Sequence, residues 1–308
     1  MTKPVEMYLD DLRGLPANST EFWIQPSVRQ EVERALQVPA GEPTKISDDT
    51  RTVVAIGGGK LLDAAKAWRA DHSPETSLIA VPSIWGSGAE VSPVVVADVE
   101  ERKAIRMDDR FLPDRVVYWP ELAKSIPDGL ARTACGDSWA HALEGFLSPL
   151  ADDALRQEIA ELMSRMLNTS LGNSPDWFKL SADACAAQAR SSVGLVHGIA
   201  HTLEGLLRAE FPDHDWGHAK LCSTFLSPVL DFNGQADGKS NRILVEHGVN
   251  VDGIRRVTKE LHDADVYQAA LPLLVDNWRM ILRDQCSRTN VRLVRPSDIE
   301  FFERWGSR

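Results

Sequence analysis

Thr52–Ile56 (TVVAI) is a short apolar run that ends in three glycines, Gly57, Gly58 and Gly59, and passes at once into a helical pattern over Lys60–Ala70. A strand that stops at glycine and turns into a helix opens a crossover, and a crossover sets the next strand parallel to the first. The next apolar run, Leu78–Pro82 (LIAVP), again ends in a glycine-containing turn, IWGSGAE. Val91–Ala97 and Arg115–Tyr118 read as further strands, Glu21–Ile24 as a short earlier one, and Ser27–Leu36 has helical spacing. The stretch QVPAGEPTKISDD between them is rich in Pro, Gly and Asp and reads as a loop. These signals predict an α/β region, Rossmann-like in pattern, with a mainly parallel sheet.

From about residue 127 the texture changes. Helical patterns run over Leu130–Phe146, Ala154–Leu167, Phe178–Leu207, His218–Asn233, Val251–Leu261 and Val275–Arg283, and strand signals become rare. A chain of 308 residues has room for two domains. The boundary falls near residues 120–127, which predicts an α/β domain over 1–124 and an all-helical domain over 125–308. No internal repeat or low-complexity segment is apparent, and residues 235–308 carry no readable motif.

The formal net charge is -11 with no cluster of Lys and Arg, which excludes a basic nucleic-acid surface. Four separated cysteines make no CxxC pair and no disulfide framework, so reduced thiols and a cytoplasmic setting are expected. The segment MTKPVEMYLDDLRG lacks the pattern of a secretory signal, and no apolar stretch reaches the length of a membrane span. Nine tryptophans, among them Trp85, Trp119, Trp139 and Trp216, are expected mostly in packing, with some at a cleft or a partner surface.

The helical half concentrates the residues suited to metal chemistry. Asp137 and His141 stand four apart in GDSWAHALEG, so on a helix both side chains share one face. His197 and His201 repeat the spacing in GLVHGIAHTLEG, and His218 opens a later helical pattern. Carboxylate plus imidazole is a hard-to-borderline set that suits Fe(II), Zn(II) or Mn(II). The alternative is satisfied core histidines.

Together these segments resemble the iron-containing (group III) alcohol dehydrogenases of the dehydroquinate synthase-like superfamily. GDSWAHALEGFLSP resembles the segment that supplies an Asp and a His to the metal, and GLVHGIAHTLEG with GHAKLCSTFLSPVLDFN the segment that supplies two more His. VVAIGGGKLLDAAKA resembles the glycine-rich cofactor motif, VPSIWGSGAEVSPVVV the second cofactor loop, and LPDRVVYWPELAKSIP the link into the helical domain. The resemblance covers roughly residues 52–235. It implies that Asp137, His141, His197 and His218 hold the metal. His214 is the runner-up to His218, because the loop before it is longer than the family's. His201 is implied not to be a ligand; it either relays a proton near the substrate or packs against the cleft.

The same resemblance implies cofactor contacts from Gly57, Gly58, Gly59, Lys60, Asp63, Ser83, Ser87 and Lys103, with Lys66 and Gly88 also matching. Glycines between a strand and a helix let backbone N–H groups approach a phosphate. Asp63 and Lys66 read otherwise as capping and surface charge. Lys60 stands where the family has a small hydroxyl residue, and Ile84 and Trp85 replace smaller residues, so Trp85 is expected to reshape the space beside nicotinamide or substrate. A βαβ unit takes roughly 30 residues, and 56 residues precede Gly57. The family's first nucleotide-binding crossover is therefore expected to be missing or much reduced.

The function implied is a metal-dependent oxidoreductase that interconverts an alcohol and a carbonyl with NAD(P)(H), in a specialised biosynthetic pathway, with Fe(II) or Zn(II). Two alternatives keep less of that chemistry. One is metal-dependent action on a phosphonate, a phosphorylated compound or a peptide, for example oxidative decarboxylation. The other is a degenerate non-catalytic subunit. The expected partners are a small-molecule or peptide substrate, with a homodimer or a pathway protein allowed.

Overall fold

The structure is a computed structural model that describes residues 4–38, 49–99, 102–235 and 238–307, with the side chains of residues 98–104 outside the description. It divides into two compact units: residues 1–127 with 173–182, and residues 128–172 with 183–308. The segment 173–182, which texture alone assigns to the helical part, belongs to the first unit.

In the first unit the described elements are β1 (Val5–Met7), α1 (Leu9–Arg13), β2 (Thr20–Ile24), α2 (Arg29–Leu36), β3 (Thr52–Gly57), α3 (Gly59–His72), β4 (Ser77–Pro82), β5 (Val94–Val99), β6 (Arg102–Met107) and β7 (Arg115–Val117). The sheet has the order β1-β7-β4-β3-β2, and every pairing in it is parallel. In β3, Val53, Val54, Ala55 and Ile56 are all fully buried. That explains a continuous apolar run in place of an alternating one, because a central parallel strand is covered on both faces. Val53 and Ala55 pack with Leu62 and Ala65 of α3, Leu78 and Ala80 of β4, and Trp23 of β2.

One expectation changes here. The strand read at Val91–Ala97 begins at Val94 and lies outside the parallel sheet, pairing antiparallel with β6 in a separate hairpin. Its partner (RKAIRM) was not read as a strand, because charged residues interrupt the apolar signal. Ahead of Gly57, β2 pairs in parallel with β3 over Thr20–Ile24, and the described part of the connection holds the eight-residue α2. The loop read over residues 37–49 falls largely outside the described residues.

The helical elements are α4 (Asp128–Leu147), α5 (Asp153–Leu167), α6 (Asp176–Gln188), α7 (Leu195–Glu210), α8 (His218–Gly234), α9 (Lys239–Glu246), α10 (Val251–Leu261), α11 (Ala264–Asp276), α12 (Trp278–Ile281), α13 (Gln285–Arg288) and α14 (Ile299–Trp305). The pattern read as one helix over Phe178–Leu207 is broken between α6 and α7. The break carries Ser191, Ser192 and Gly194, residues that favour turns over a helix interior. The helix read over Val275–Arg283 is α11 followed by the short α12; the Asp263 side chain caps α11 by accepting from the amides of Asp265 and Val266. Among the described residues, no helix is long and apolar enough to cross a membrane.

One buried charge pair fixes the shape of the first unit. The Lys66 ammonium is fully buried and donates to Asp63 Oδ1 at 2.7 Å, to the carbonyl of Ala89 at 3.0 Å and to the carbonyl of Val94. Asp63 Oδ2 accepts from the Val96 amide at 3.0 Å. The pair thus clamps the segment that follows β4 onto α3. Lys66→Ala leaves a poorly exposed carboxylate without its counter-charge and is expected to cost about 3–5 kcal/mol. Chemical denaturation of the two proteins checks this; a difference under about 1 kcal/mol would remove the clamp from the account of the fold.

Candidate metal centre

Asp137, His141 and Glu144 stand at i, i+4 and i+7 on α4, one face of one helix. All three are buried. A Cβ on Gly136 would come within 2.7 Å of Ser223 Cα on α8, so a glycine at this position lets the two backbones close in. That approach brings Asp137 up to the side chains of the first turns of α8.

Asp137 Oδ1 lies 3.8 Å from His197 Nε2 and 3.9 Å from His218 Nε2. One ligand atom from each of Asp137, His197, His218 and Cys222 fits a set in which all lie within 4.8 Å of one another. His141 is not in that set; its ring is tilted against His197 with centroids 4.6 Å apart. Asp137 Oδ1 and His197 Nε2 are buried and have no hydrogen-bond partner among the described residues. Two such atoms facing each other are costly in a protein interior. A divalent cation between them satisfies both, so the donor set fits a metal.

Glu144 prepares His197 for that role. Its carboxylate accepts from His197 Nδ1 at 2.7 Å and from the amides of Val196 at 2.6 Å and His197 at 3.4 Å. It therefore caps the N-terminus of α7 from another helix and holds the imidazole with Nε2 turned toward Asp137. A Cβ on Gly194 would sit 2.9 Å from Glu144 Oε1, so a glycine there leaves the carboxylate room. Burial alone would push the His197 pKa down; the Glu144 hydrogen bond and the charges of Glu144, Asp137 and Asp284 outweigh it and hold the pKa above the usual histidine value. Glu204 stands in a related way to His218, with Oε2 3.8 Å from Nδ1, and is itself paired with Arg208 at 2.6 Å. Burial pushes the Cys222 thiol up, reinforced by Asp137 and Glu144.

His201 lies in a second group with Asp284 and Cys286. Its Nδ1 is 3.7 Å from Asp284 and 3.8 Å from the Cys286 sulfur, and its ring stacks on His218 with centroids 5.2 Å apart. Burial would raise the Asp284 pKa, but His201 and the Cys286 amide hold it below the usual carboxylate value. His214 is exposed in the loop before α8 and stacks on Trp216, away from the histidine set.

In the first unit, Gly58–Lys60 follow β3, Ser83–Gly88 follow β4 and Gln25 follows β2, so all three segments leave the carboxyl ends of adjacent parallel strands. This is the edge at which open α/β sheets bind ligands. A Cβ on Gly59 would meet Ser87 Oγ at 2.7 Å, so the two loops are in close contact. The Gly58 amide already donates to Gln25 Oε1 at 2.6 Å. Ser83 is buried, while Lys60 and Ser87 are exposed. Asp63 braces the chain, since both of its oxygens are taken by protein donors. Trp85 is 3% exposed and packs edge-on against Phe178, so it fills the core of this unit instead of shaping an open site. The Lys103 side chain lies outside the described residues.

The sequence profile of the iron-containing alcohol dehydrogenases matches residues 27–120. The 1-propanol dehydrogenase of Salmonella typhimurium is 31% identical over 246 residues, 73% of this chain and 63% of that protein. Maleylacetate reductase 1 of Rhodococcus opacus is 34% identical over 191 residues, 59% of this chain and 50% of that protein. The solved iron-containing alcohol dehydrogenase of Thermococcus thioreducens superposes with a TM-score of 0.74 at 18% identity, covering 99% of this chain and 98% of that one. The solved maleylacetate reductase of Agrobacterium tumefaciens superposes with a TM-score of 0.77 at 16% identity, covering 99% and 96%. The chain belongs to the iron-containing alcohol dehydrogenase family. It spans one half to two thirds of the length of these curated relatives.

Within this family member, five residues around the site were missed on sequence: Glu144, Glu204, Cys222, Asp284 and Cys286. Two of them had a signal. GDSWAHALEG and GLVHGIAHTLEG both carry His-x-x-Glu, which sets Glu144 and Glu204 one turn beyond a histidine. Asp284 and Cys286 belong to the part of the chain without a readable motif. Glu144→Gln is expected to weaken zinc or iron binding by about 10–100-fold while the fold survives. A protonated His197 cannot coordinate, so metal affinity should fall as the pH drops through its raised pKa. Because Glu144→Gln removes a negative charge, that fall should move to lower pH in the variant. Chelator competition across pH, with circular dichroism as the fold control, measures both.

Proposed function

We propose that this chain is a metal-dependent oxidoreductase that interconverts an alcohol and a carbonyl with NAD(P)(H). The observation that carries the reading is the buried, unpartnered pair of Asp137 Oδ1 and His197 Nε2, with His218 Nε2 beside them. Asp137, His141, His197 and His218 are the proposed holders of Fe(II) or Zn(II). A divalent ion in such a set supplies Lewis acidity, which polarises a carbonyl oxygen or lowers the pKa of an alcohol.

The chain's own groups do the rest. Glu144 holds the Nδ1 proton of His197, which would leave the Nε2 lone pair oriented toward the ion. His201, half-buried and 3.7 Å from Asp284, is the proposed relay of a proton between the substrate oxygen and solvent. Gly58, Gly59, Lys60, Ser83 and Ser87 are the proposed hold on the dinucleotide, whose nicotinamide supplies or accepts the hydride. Gln25 must release the Gly58 amide before a phosphate can take it. All four cysteines are buried and outside any disulfide, which supports a reducing, cytoplasmic setting.

Metal analysis of the purified protein followed by calorimetric titration with NADH and NADPH tests the reading. The expected result is one bound divalent ion, binding of at least one nucleotide, and turnover that EDTA abolishes. Asp137→Ala should lower kcat/KM by about a hundredfold or more. Metal-loaded protein that binds neither nucleotide would sink the proposal.

A further inference from the structure

The resemblance supplies one Asp and three His to the metal and no sulfur. The geometry differs. Cys222 lies one turn beyond His218 on α8, so the two side chains share a face. Its sulfur is 3.5 Å from His218 Nε2 and belongs to the set of four atoms within 4.8 Å of one another, whereas His141 does not. A buried free cysteine ordinarily behaves as a small hydrophobe and faces apolar neighbours. Here the sulfur faces a carboxylate and two imidazoles, and two atoms of that set, Asp137 Oδ1 and His197 Nε2, are buried without a partner. Their side chains are 3% and 4% exposed.

We propose that Cys222 is a direct ligand of the metal ion, joining Asp137, His197 and His218, with His141 at the edge of the site. This rests on the reading above that a divalent ion is held here. Coordination forms a metal–sulfur bond and releases the thiol proton to solvent; no oxidation state changes. A thiolate makes the set softer, which moves its preference from Fe(II) toward Zn(II).

The test is X-ray absorption at the zinc edge of the full-length, zinc-loaded protein, with the cobalt(II)-substituted protein read by its electronic spectrum. The expected result is a sulfur shell at about 2.3 Å and a thiolate-to-cobalt charge-transfer band. Both should disappear in Cys222→Ser and Cys222→Ala and persist in Cys286→Ser. Zinc affinity should fall about tenfold or more in the Cys222 variants, since loss of even an outer partner has an effect of that size. Stoichiometric zinc with only nitrogen and oxygen neighbours in the unmutated protein would overturn the cysteine ligand and leave the metal centre standing. A sulfur signal lost in Cys286→Ser instead would overturn it too. Protein that holds no metal at all would remove both readings.

Discussion

The carboxylate of Glu144 is the contact on which the helical unit's chemistry depends. It is buried, yet it accepts from two amides at the start of α7 and from the His197 ring. Those three donors offset the cost of taking a charge out of water. In return the carboxylate fixes where α7 begins relative to α4 and which nitrogen of His197 faces Asp137. Gly194 and Gly136 are the complementary concessions, each leaving out a Cβ that would push a neighbour away. The geometry of the proposed ligands is thus set by helix packing rather than by the ligands themselves.

That packing gathers an unusual amount of negative charge. Asp137, Glu144 and Glu204 are each 6% exposed or less, and all three face histidines. Arg208 pairs with one of them. For the others the compensation is imidazole, which by itself is neutral near physiological pH unless carboxylates raise its pKa, as they do for His197. A divalent cation answers the same need more completely, and it frees the imidazoles to be neutral ligands. An ion held here would therefore stabilise the fold of this region as well as supply chemistry.

The sequence was legible where one physical signal dominated. The β3 run is apolar throughout because it is covered on both sides, and the i,i+4 spacing of Asp137 and His141 is a property of the helix alone. It was silent where tertiary contact decides. Nothing local marks β6 as a strand, since its stability comes from pairing with β5. Nothing local says that Asp63, which looks like a cofactor residue, has both oxygens taken by Lys66 and Val96. Trp85 is the same lesson in packing: its place in a loop motif suggested an open site, and Phe178, far along the chain, covers it. The choice of His218 over His214 rested on counting along the chain; the three-dimensional arrangement puts His218 beside Asp137 and leaves His214 exposed.

The ligand set also bears on how strongly an ion here can act. One carboxylate with three imidazoles leaves a divalent ion with a net charge of about +1 (one negative ligand against the ion). Putting the Cys222 thiolate in place of one imidazole brings the centre close to neutral and lowers its pull on a substrate oxygen. A weaker Lewis acid polarises a carbonyl less and leaves an alcohol's pKa higher, so proton transfer carries more of the barrier. The chain places a titratable pair, His201 and Asp284, directly behind His218. With a sulfur ligand, activity should depend more steeply on that pair than it does in a centre built from oxygen and nitrogen alone.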